Sequence, residues 1–457
     1  MDKRSSRESS EILDILGIGI GPFNLGLAAM LKKTPEVQAL FLDKKPRFEW
    51  HPGLLIEGTT LQVPFFADVV TMADPTSPFS FLNYLKEHQR LYHFYFLERF
   101  HIPRNEYNHY CQWVTQELDT CLFNREVINI QWEEQGADSH YRVTAIDTET
   151  DQLLIYQTRH LVLGTGSVPN IDPRYSDLPR EDVFHSARFL ENLDRCRHAR
   201  SITVVGSGQS AAEVFYTLLQ EQSSHGYQLD WFTRSNGFFP MEYSKLGLEH
   251  FSPEYTRHFH SLSPAARDEK IRNQDLLYKG ISASTIADIY DLLYERTVGG
   301  KETPARLLSH VDVRGISPIQ QNGLSHYRLN AFHRDEQKEF THDSEVVILS
   351  TGYHHAIPPF IAGIRHLIEW DEQERYVIDE DYRLSLTHAH DNAIFIQNGE
   401  LHTHGVGAPD LGLGAYRNSV IINTLTGRNV YSVSERNVFQ QFGVMQRQSL
   451  HKSLVKG

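Results

Sequence analysis

The chain has 457 residues, long enough for two or three domains, each with its own core. With 40% hydrophobic and 22% charged residues it reads as an ordinary soluble globular protein, and a net charge of −14 with no basic stripe excludes nucleic acid as a partner. Three cysteines, Cys111, Cys121 and Cys196, form no CxxC pair, so neither a disulfide framework nor a zinc ribbon is indicated and a cytoplasmic setting is expected.

The first ten residues, MDKRSSRESS, are polar and carry no secretory signal. The apolar run from Ile12 to Leu31 nears membrane-span length, but Asp14, Pro22 and Asn24 interrupt it, so no span is expected. Instead ILDILGIGIGPFNLGLAAMLKK reads as a buried strand over Ile12–Ile20 and a turn carrying Gly17, Gly19 and Gly21. A helix from Asn24 to Lys33 follows, with Pro22 between turn and helix. Glycine lets a backbone approach a pyrophosphate, and the helix start offers its free N–H groups to the anion. ALFLDKK is the next strand and ends in Asp43, 24 residues after Gly19, where a carboxylate can accept hydrogen bonds from a ribose. A merely structural glycine turn is the competing reading. EYNHYCQWVTQEL (106–118) is an amphipathic helix whose Tyr and Trp residues read as packing.

SITVVGSGQSAAEVFYTLLQ (201–220) repeats the unit with Gly206, Ser207, Gly208, Gln209 and Ser210, and Ala212 takes the third glycine position. Its following strand, LDWFTRS, closes on Arg234 and Ser235 rather than an acid. A cation and a hydroxyl suit a ribose 2′-phosphate, which favours NADP(H) over NAD(H); the bland alternative is a solvent-facing arginine. HLVLGTGSVP, with Gly164, Thr165 and Gly166, and EVVILSTGYHHAIP are both apolar strands ending in a Thr-Gly turn. They read as strands returning the chain to the first nucleotide domain on either side of an inserted second one.

The expected fold class is therefore α/β, with two Rossmann-like dinucleotide domains and a smaller, mostly helical substrate region. The FAD domain spans 1–192 and 343–430, and the NADPH domain 193–237 and 307–342. A helical region covers 238–306, including SASTIADIYDLLYERT with Ser284 as a possible N-cap, and a loosely ordered tail covers 431–457. Flavin with NADPH means hydride transfer to the isoalloxazine and onward to an acceptor. A disulfide acceptor is disfavoured, because Cys111 and Cys121 are widely spaced and far from the first turn.

Several ordered segments together are more specific. GIGIGPFNLGLA, FEWHPGLLI, LQVPFFADVVTMADPTSPFSFLNYL, VVGSGQSAAEVF, STGY and HTHGVGAPDLGL resemble the signatures of the microbial N-hydroxylating flavin monooxygenases, the lysine and ornithine N-monooxygenases of siderophore biosynthesis. The resemblance runs from about Leu13 to Arg428. It implies FAD and NADPH, a flavin C4a-hydroperoxide that delivers oxygen from O2 to a neutral terminal amine, and a homo-oligomer, commonly a tetramer. It places Trp50, His51 and Pro52 around the flavin and Gln62 close to the isoalloxazine. His402, His404 and Gly405 would close over it from the C-terminal segment. A metal site at these histidines is not expected, for want of a third ligand at fitting spacing. His354–His355 and His388/His390 read as surface or loop residues.

In amino-acid-using members of the family, the position of Ala67 is a lysine near the substrate α-carboxylate. A carboxylate entering a partly dry pocket must be paired, and alanine cannot pair it. The substrate is thus expected to lack a carboxylate, as cadaverine and putrescine do. Its far ammonium would want an acid or an aromatic face, and Asp68, Glu242 and Glu249 are the candidates, with Tyr243 as the aromatic partner. Phe238–Tyr255 falls in the segment the family uses for substrate and lacks the asparagine that ornithine-type members carry near Leu248. Against this stands neutral drift at Ala67, with another cation such as Lys245 holding the carboxylate. No side-chain acid or base is expected to act, since the amine lone pair is the nucleophile and must be bound uncharged. An amino-acid N-monooxygenase, an NADPH-dependent flavoprotein reductase without oxygen insertion and a nucleotide sensor remain as alternatives.

Overall fold

The computed structural model describes residues 11–321, 324–388 and 391–444. The polar start, His390 and the chain beyond 444 lie outside the described residues. Two nucleotide-type units share the chain. In the first, β1 (Leu13–Ile18) leads into α1 (Pro22–Met30) and β2 (Ala39–Leu42), followed by β3 (Cys121–Leu122), β4 (Arg125–Glu133), β5 (His140–Asp147) and β6 (Leu153–Leu163). The sheet order is β3-β2-β1-β6-β5-β4. β1, β2 and β3 are parallel, and β6 does two jobs: its first half pairs antiparallel with β5 and its second half parallel with β1. β1 is apolar on both faces because both faces are covered. One face packs against α1 and the helices Arg104–Gln116 and Gly414–Thr426; the other packs against the β4–β5 arm and the 359–367 turns. The predicted strand end and helix start each shift by two residues, since Gly19 leaves the strand at φ 90° and Pro22 opens the helix at its first turn.

The second unit is a five-stranded parallel sheet, in the order Ala305–Leu308, Gln228–Phe232, Ser201–Val205, Val346–Leu349, Val183–His185. This corrects two predicted boundaries. Val346–Leu349, expected to rejoin the first sheet, pairs with Ser201–Val205, and Val183–His185, assigned to the first domain, edges the second sheet. An apolar VVIL run is buried equally well in either sheet, so its composition does not choose between them. The return to the first sheet comes later, where Ile394–Ile396 pairs with β6. A three-stranded antiparallel arm (Val311–Gln321, Leu324–His333, Lys338–Ser344) packs on the second sheet.

The 238–306 segment is largely helical but does not act as one piece. The helix Ala283–Arg296 buries Ile289 in the second unit's core, and its N-cap is Ser282, whose Oγ accepts from the Thr285 N–H at 3.2 Å; Ser284 is not the cap. The helices before it pack on Leu401–His404 and Val406. The expected loose tail is also corrected through residue 444. Tyr431 is buried and donates to the Met30 carbonyl at 2.7 Å, and Phe442 packs on His250 and Tyr255.

Candidate active site

Between the two units opens a cleft of about 2920 Å³, several times the size of an ordinary small-molecule pocket and roomy enough for two dinucleotides. Its floor is built from the glycine turns. At Gly19 a Cβ would lie 2.4 Å from the Gly164 carbonyl oxygen, and φ is 90°, so only glycine permits this close crossing of the two loops. Gly206 is held the same way, with φ 151° and a Cβ position 2.2 Å from the Ser350 carbonyl oxygen.

Gly19, Gly21, Pro22, Asp43, Trp50, His51, Gln62, Gly164, Thr165 and Gly166 line the cleft, as do Gly206, Ser207, Gly208, Gln209, Ser210 and Arg234. Gly17, expected in the turn, lies instead within β1 against the Phe41 ring and does not line the cleft. Ser235 does not reach the wall; its backbone is engaged with Thr233 and His310. Asp43 accepts from the backbone N–H of Ile20 at 2.8 Å and of Lys45 at 2.9 Å, so it braces the turn while facing the cleft. A carboxylate has further lone pairs to offer a ribose.

His51 takes the left-handed conformation (φ 50°), edge-on to Trp50 at 5.1 Å and Tyr353 at 5.6 Å. Crowding by protein lowers its pKa to about 4, with Arg104 and Lys45 adding to the effect, so its ring is neutral near pH 7. The buried Ser350 Oγ, Tyr353 Oη and Asn398 Oδ1 lack protein partners and belong to cleft-lining residues. Glycine crossings, an acid at a strand end and unpaired polar atoms make a donor set that fits FAD on the first turn and NADPH on the second.

The C-terminal histidines are placed differently from expectation. His404 is buried, stacked on Tyr382 at 4.3 Å and bonded to Thr403 Oγ1 at 2.9 Å; Gly405 lies against the Phe259 ring; His402 bonds the Tyr376 carbonyl at 2.7 Å. The short helix Leu401–His404 turns these residues toward neighbouring helices, and the segment meets the cleft instead through Leu401, Val406 and the run Pro409–Gly412. His354 and His355 are exposed on the cleft rim. Among the described residues no cluster of three or more His, Cys, Asp or Glu could hold a metal ion.

Of the predicted substrate residues, Ala67, Tyr243 and Leu248 line the cleft, and the Tyr243 hydroxyl donates to Gln62 Oε1 at 3.3 Å. The three predicted acids do not. Asp68 is buried and accepts from the N–H groups of Val70, Thr71 and Phe81 and from Thr71 Oγ1, which pins the loop to the start of the next helix. Glu242 accepts from the Ser244 N–H, and Glu249 from the N–H groups of Phe439 and Gln440. Lys245 is exposed and off the cleft wall.

Among the acids outside the predicted set that reach the cleft is Asp410. Asp410 is half-buried beside Ala67: a Cβ on Gly412 would lie 2.8 Å from Asp410 Oδ1 and 3.9 Å from the Ala67 methyl. Desolvation pushes its pKa up to about 6, against the easing pull of the Gly412 and Leu413 N–H groups and of Arg417. Its signal in the sequence was only its place within HTHGVGAPDLGL, where the histidines took precedence.

The chain matches the family described as L-lysine 6-monooxygenase/L-ornithine 5-monooxygenase over residues 11–355. It is 43% identical to a putrescine N-hydroxylase of Shewanella oneidensis, over 94% of this chain and 84% of that protein. Among solved structures it is similar to FAD-bound DfoA, the desferrioxamine-pathway cadaverine monooxygenase of Erwinia amylovora. That match has a TM-score of 0.90 and 41% identity over 96% of this chain and all of that one. A Kutzneria ornithine N-hydroxylase carrying reduced FAD, NADP+ and L-ornithine matches with a TM-score of 0.84 and 26% identity, over 91% of this chain and 99% of that one. The chain belongs to the L-lysine 6-monooxygenase/L-ornithine 5-monooxygenase family.

Proposed function

We propose that this protein is an FAD- and NADPH-dependent N-hydroxylase of an aliphatic diamine, cadaverine or putrescine, serving hydroxamate siderophore biosynthesis. The overall reaction converts R–NH2, O2, NADPH and H+ into R–NHOH, NADP+ and H2O. The observation that carries this reading is the cleft wall at Ala67, where an alanine methyl stands beside an acid and offers no cation to a substrate carboxylate. The likeness to proteins named for putrescine and cadaverine supports it.

FAD would lie on the turn from Gly19 to Pro22, against Asp43, Trp50, His51, Gln62 and Gly164–Gly166. NADPH would lie on Gly206–Ser210, with Arg234 toward its 2′-phosphate. When bound, FAD supplies the oxygen-transfer chemistry using electrons from NADPH. The chain's own part is to seat the amine. Apolar wall from Leu61, Phe66 and Ala67 disfavours the ammonium form and so presents the reacting nitrogen with its lone pair free. The Tyr243–Gln62 hydrogen bond ties the helical segment to the loop that carries Gln62.

The test is hydroxylamine formation by FAD-loaded protein with NADPH and cadaverine, putrescine, lysine and ornithine in parallel. A diamine should be used at least about tenfold better in kcat/KM than either amino acid, the smaller end of what loss of a charged partner costs. Equal or better use of lysine or ornithine would sink the reading. NADPH oxidation with an artificial acceptor and no hydroxylamine would favour a reductase.

Among the described residues no helix is long and apolar enough to cross a membrane, and a cytoplasmic place is part of the proposal. So is a homo-oligomer, a tetramer by family resemblance. The helix Leu91–Leu97 buries none of its residues and exposes Tyr92, Tyr95 and Phe96, a face that a second copy would cover. Light scattering across a dilution series decides it.

A further inference from the structure

We propose that Asp410 is the residue that selects the diamine, its carboxylate pairing with the ammonium at the far end while the near amine reacts. The inference deepens the diamine reading and rests on it.

An ammonium entering a half-dry corner needs a negative partner that is not already committed. The carboxylates on the cleft wall are Asp43, Glu49, Glu126, Asp172, Asp312 and Asp410. Asp43 holds the Ile20 and Lys45 amides, and Glu49, Glu126, Asp172 and Asp312 each have a lysine or arginine within 4 Å. Asp410 has no ion-pair partner among the described residues. Arg417, the cation that eases its charge, is bound to Glu400 at 2.9 Å and to the Ala408 carbonyl at 2.7 Å.

The position matters as much as the free charge. Asp410 shares its corner with Ala67, the place where a lysine would serve an amino-acid substrate. The substitution of a methyl for a cation therefore coincides with an available anion, an inversion of sign at one end of the pocket. Tyr243 lies near enough for its hydroxyl to feel the Asp410 charge, and it also touches Gln62. The aromatic face can flank the bound ammonium. Asp410 also stands at the head of the turn Leu411–Leu413, where the Gly412 and Leu413 N–H groups favour its ionised form without a full capping hydrogen bond, so its charge is steadied by amides and not neutralised by a cation.

The experiment compares kcat/KM for cadaverine and for pentylamine, which has the same reach and no far charge, using FAD-loaded wild-type, Asp410→Asn and Gly412→Ala proteins. Asp410→Asn should lose about 30-fold or more with cadaverine, chiefly through KM, as when one member of a buried charge pair is removed. Pentylamine should change by no more than roughly twofold on this reasoning, since it never engages the acid. Flavin reduction by NADPH should stay at the wild-type rate. Gly412→Ala keeps the charge but presses a methyl against Oδ1, and should lower the cadaverine-to-pentylamine ratio as well; it decides alone if Asp410→Asn does not retain FAD. A ratio equal to wild type in the soluble variants overturns the assignment. If the wild-type protein prefers diamines and the ratio stays fixed, only Asp410 falls; if it prefers lysine or ornithine, the diamine reading falls and Asp410 with it.

Discussion

The two ends of the cleft are made differently. The coenzyme end is backbone: glycine crossings at Gly19 and Gly206 set the shape, and side chains such as Asp43 and Gln209 brace it. The proposed amine end is side chain: Ala67, Tyr243, Leu248 and Asp410 come from three distant stretches of chain and line the same cleft. Backbone geometry restricts which residues can stand in a turn, so the first end tolerates almost no change. The second end can change its ligand by exchanging single side chains.

The strongest test of that contrast is Gly19→Val. A Cβ 2.4 Å from the Gly164 oxygen at φ 90° should leave protein purified without flavin, read from its visible spectrum; a fully yellow variant would break the contrast. At the other end, Ala67→Lys should keep its flavin yet lose about 100-fold in kcat/KM with cadaverine, because the new ammonium repels the substrate and occupies Asp410. Undisturbed diamine turnover in that variant would refute the account of the loop. Arg234→Ala should raise the NADPH KM by roughly tenfold and leave the NADH KM near its wild-type value, the size of one lost charge-assisted bond. Equal effects on both coenzymes would place Arg234 away from the 2′-phosphate.

The smallest effect is on pH. Asp410 is raised from the usual carboxylate range to about 6 by burial, with Tyr243 and Arg417 the charged or titratable groups facing it. The folded protein therefore holds a proton there that the unfolded chain has lost, and the group's contribution to stability falls as pH rises through that window. Pairing with an ammonium needs the ionised form, so kcat/KM for cadaverine should drop as pH falls through about 6. This limb should vanish in Asp410→Asn, leaving only the gentler loss from protonation of the reacting amine. A profile identical in wild type and variant would remove Asp410 from the titration.

What was legible in the sequence follows the same division. Both nucleotide turns were found, since glycine spacing after an apolar run is a local demand with few solutions. Val346–Leu349 was assigned to the wrong sheet because strand pairing is decided by partners far along the chain. His404 was expected over the flavin and Asp410 was not singled out, since one short segment carries both and only packing decides that Asp410, and not His404, lines the cleft. Ser282 rather than Ser284 caps its helix because both serines fit the rule and Gln209 already holds the Ser282 amide at 2.7 Å.

The Arg104–Glu213 ion pair lies in the protein interior with bonds of 2.7 and 2.9 Å, and it joins the start of a first-unit helix to the helix behind the second glycine turn. Glu213 also takes a hydrogen bond from Gln209 within that turn, while Arg104 reaches the Leu54 carbonyl just ahead of the loop that carries Ala67. The helix behind the second glycine turn and the chain at Leu54 thus hang from a common bolt, so displacing Arg104 should disturb both units at once.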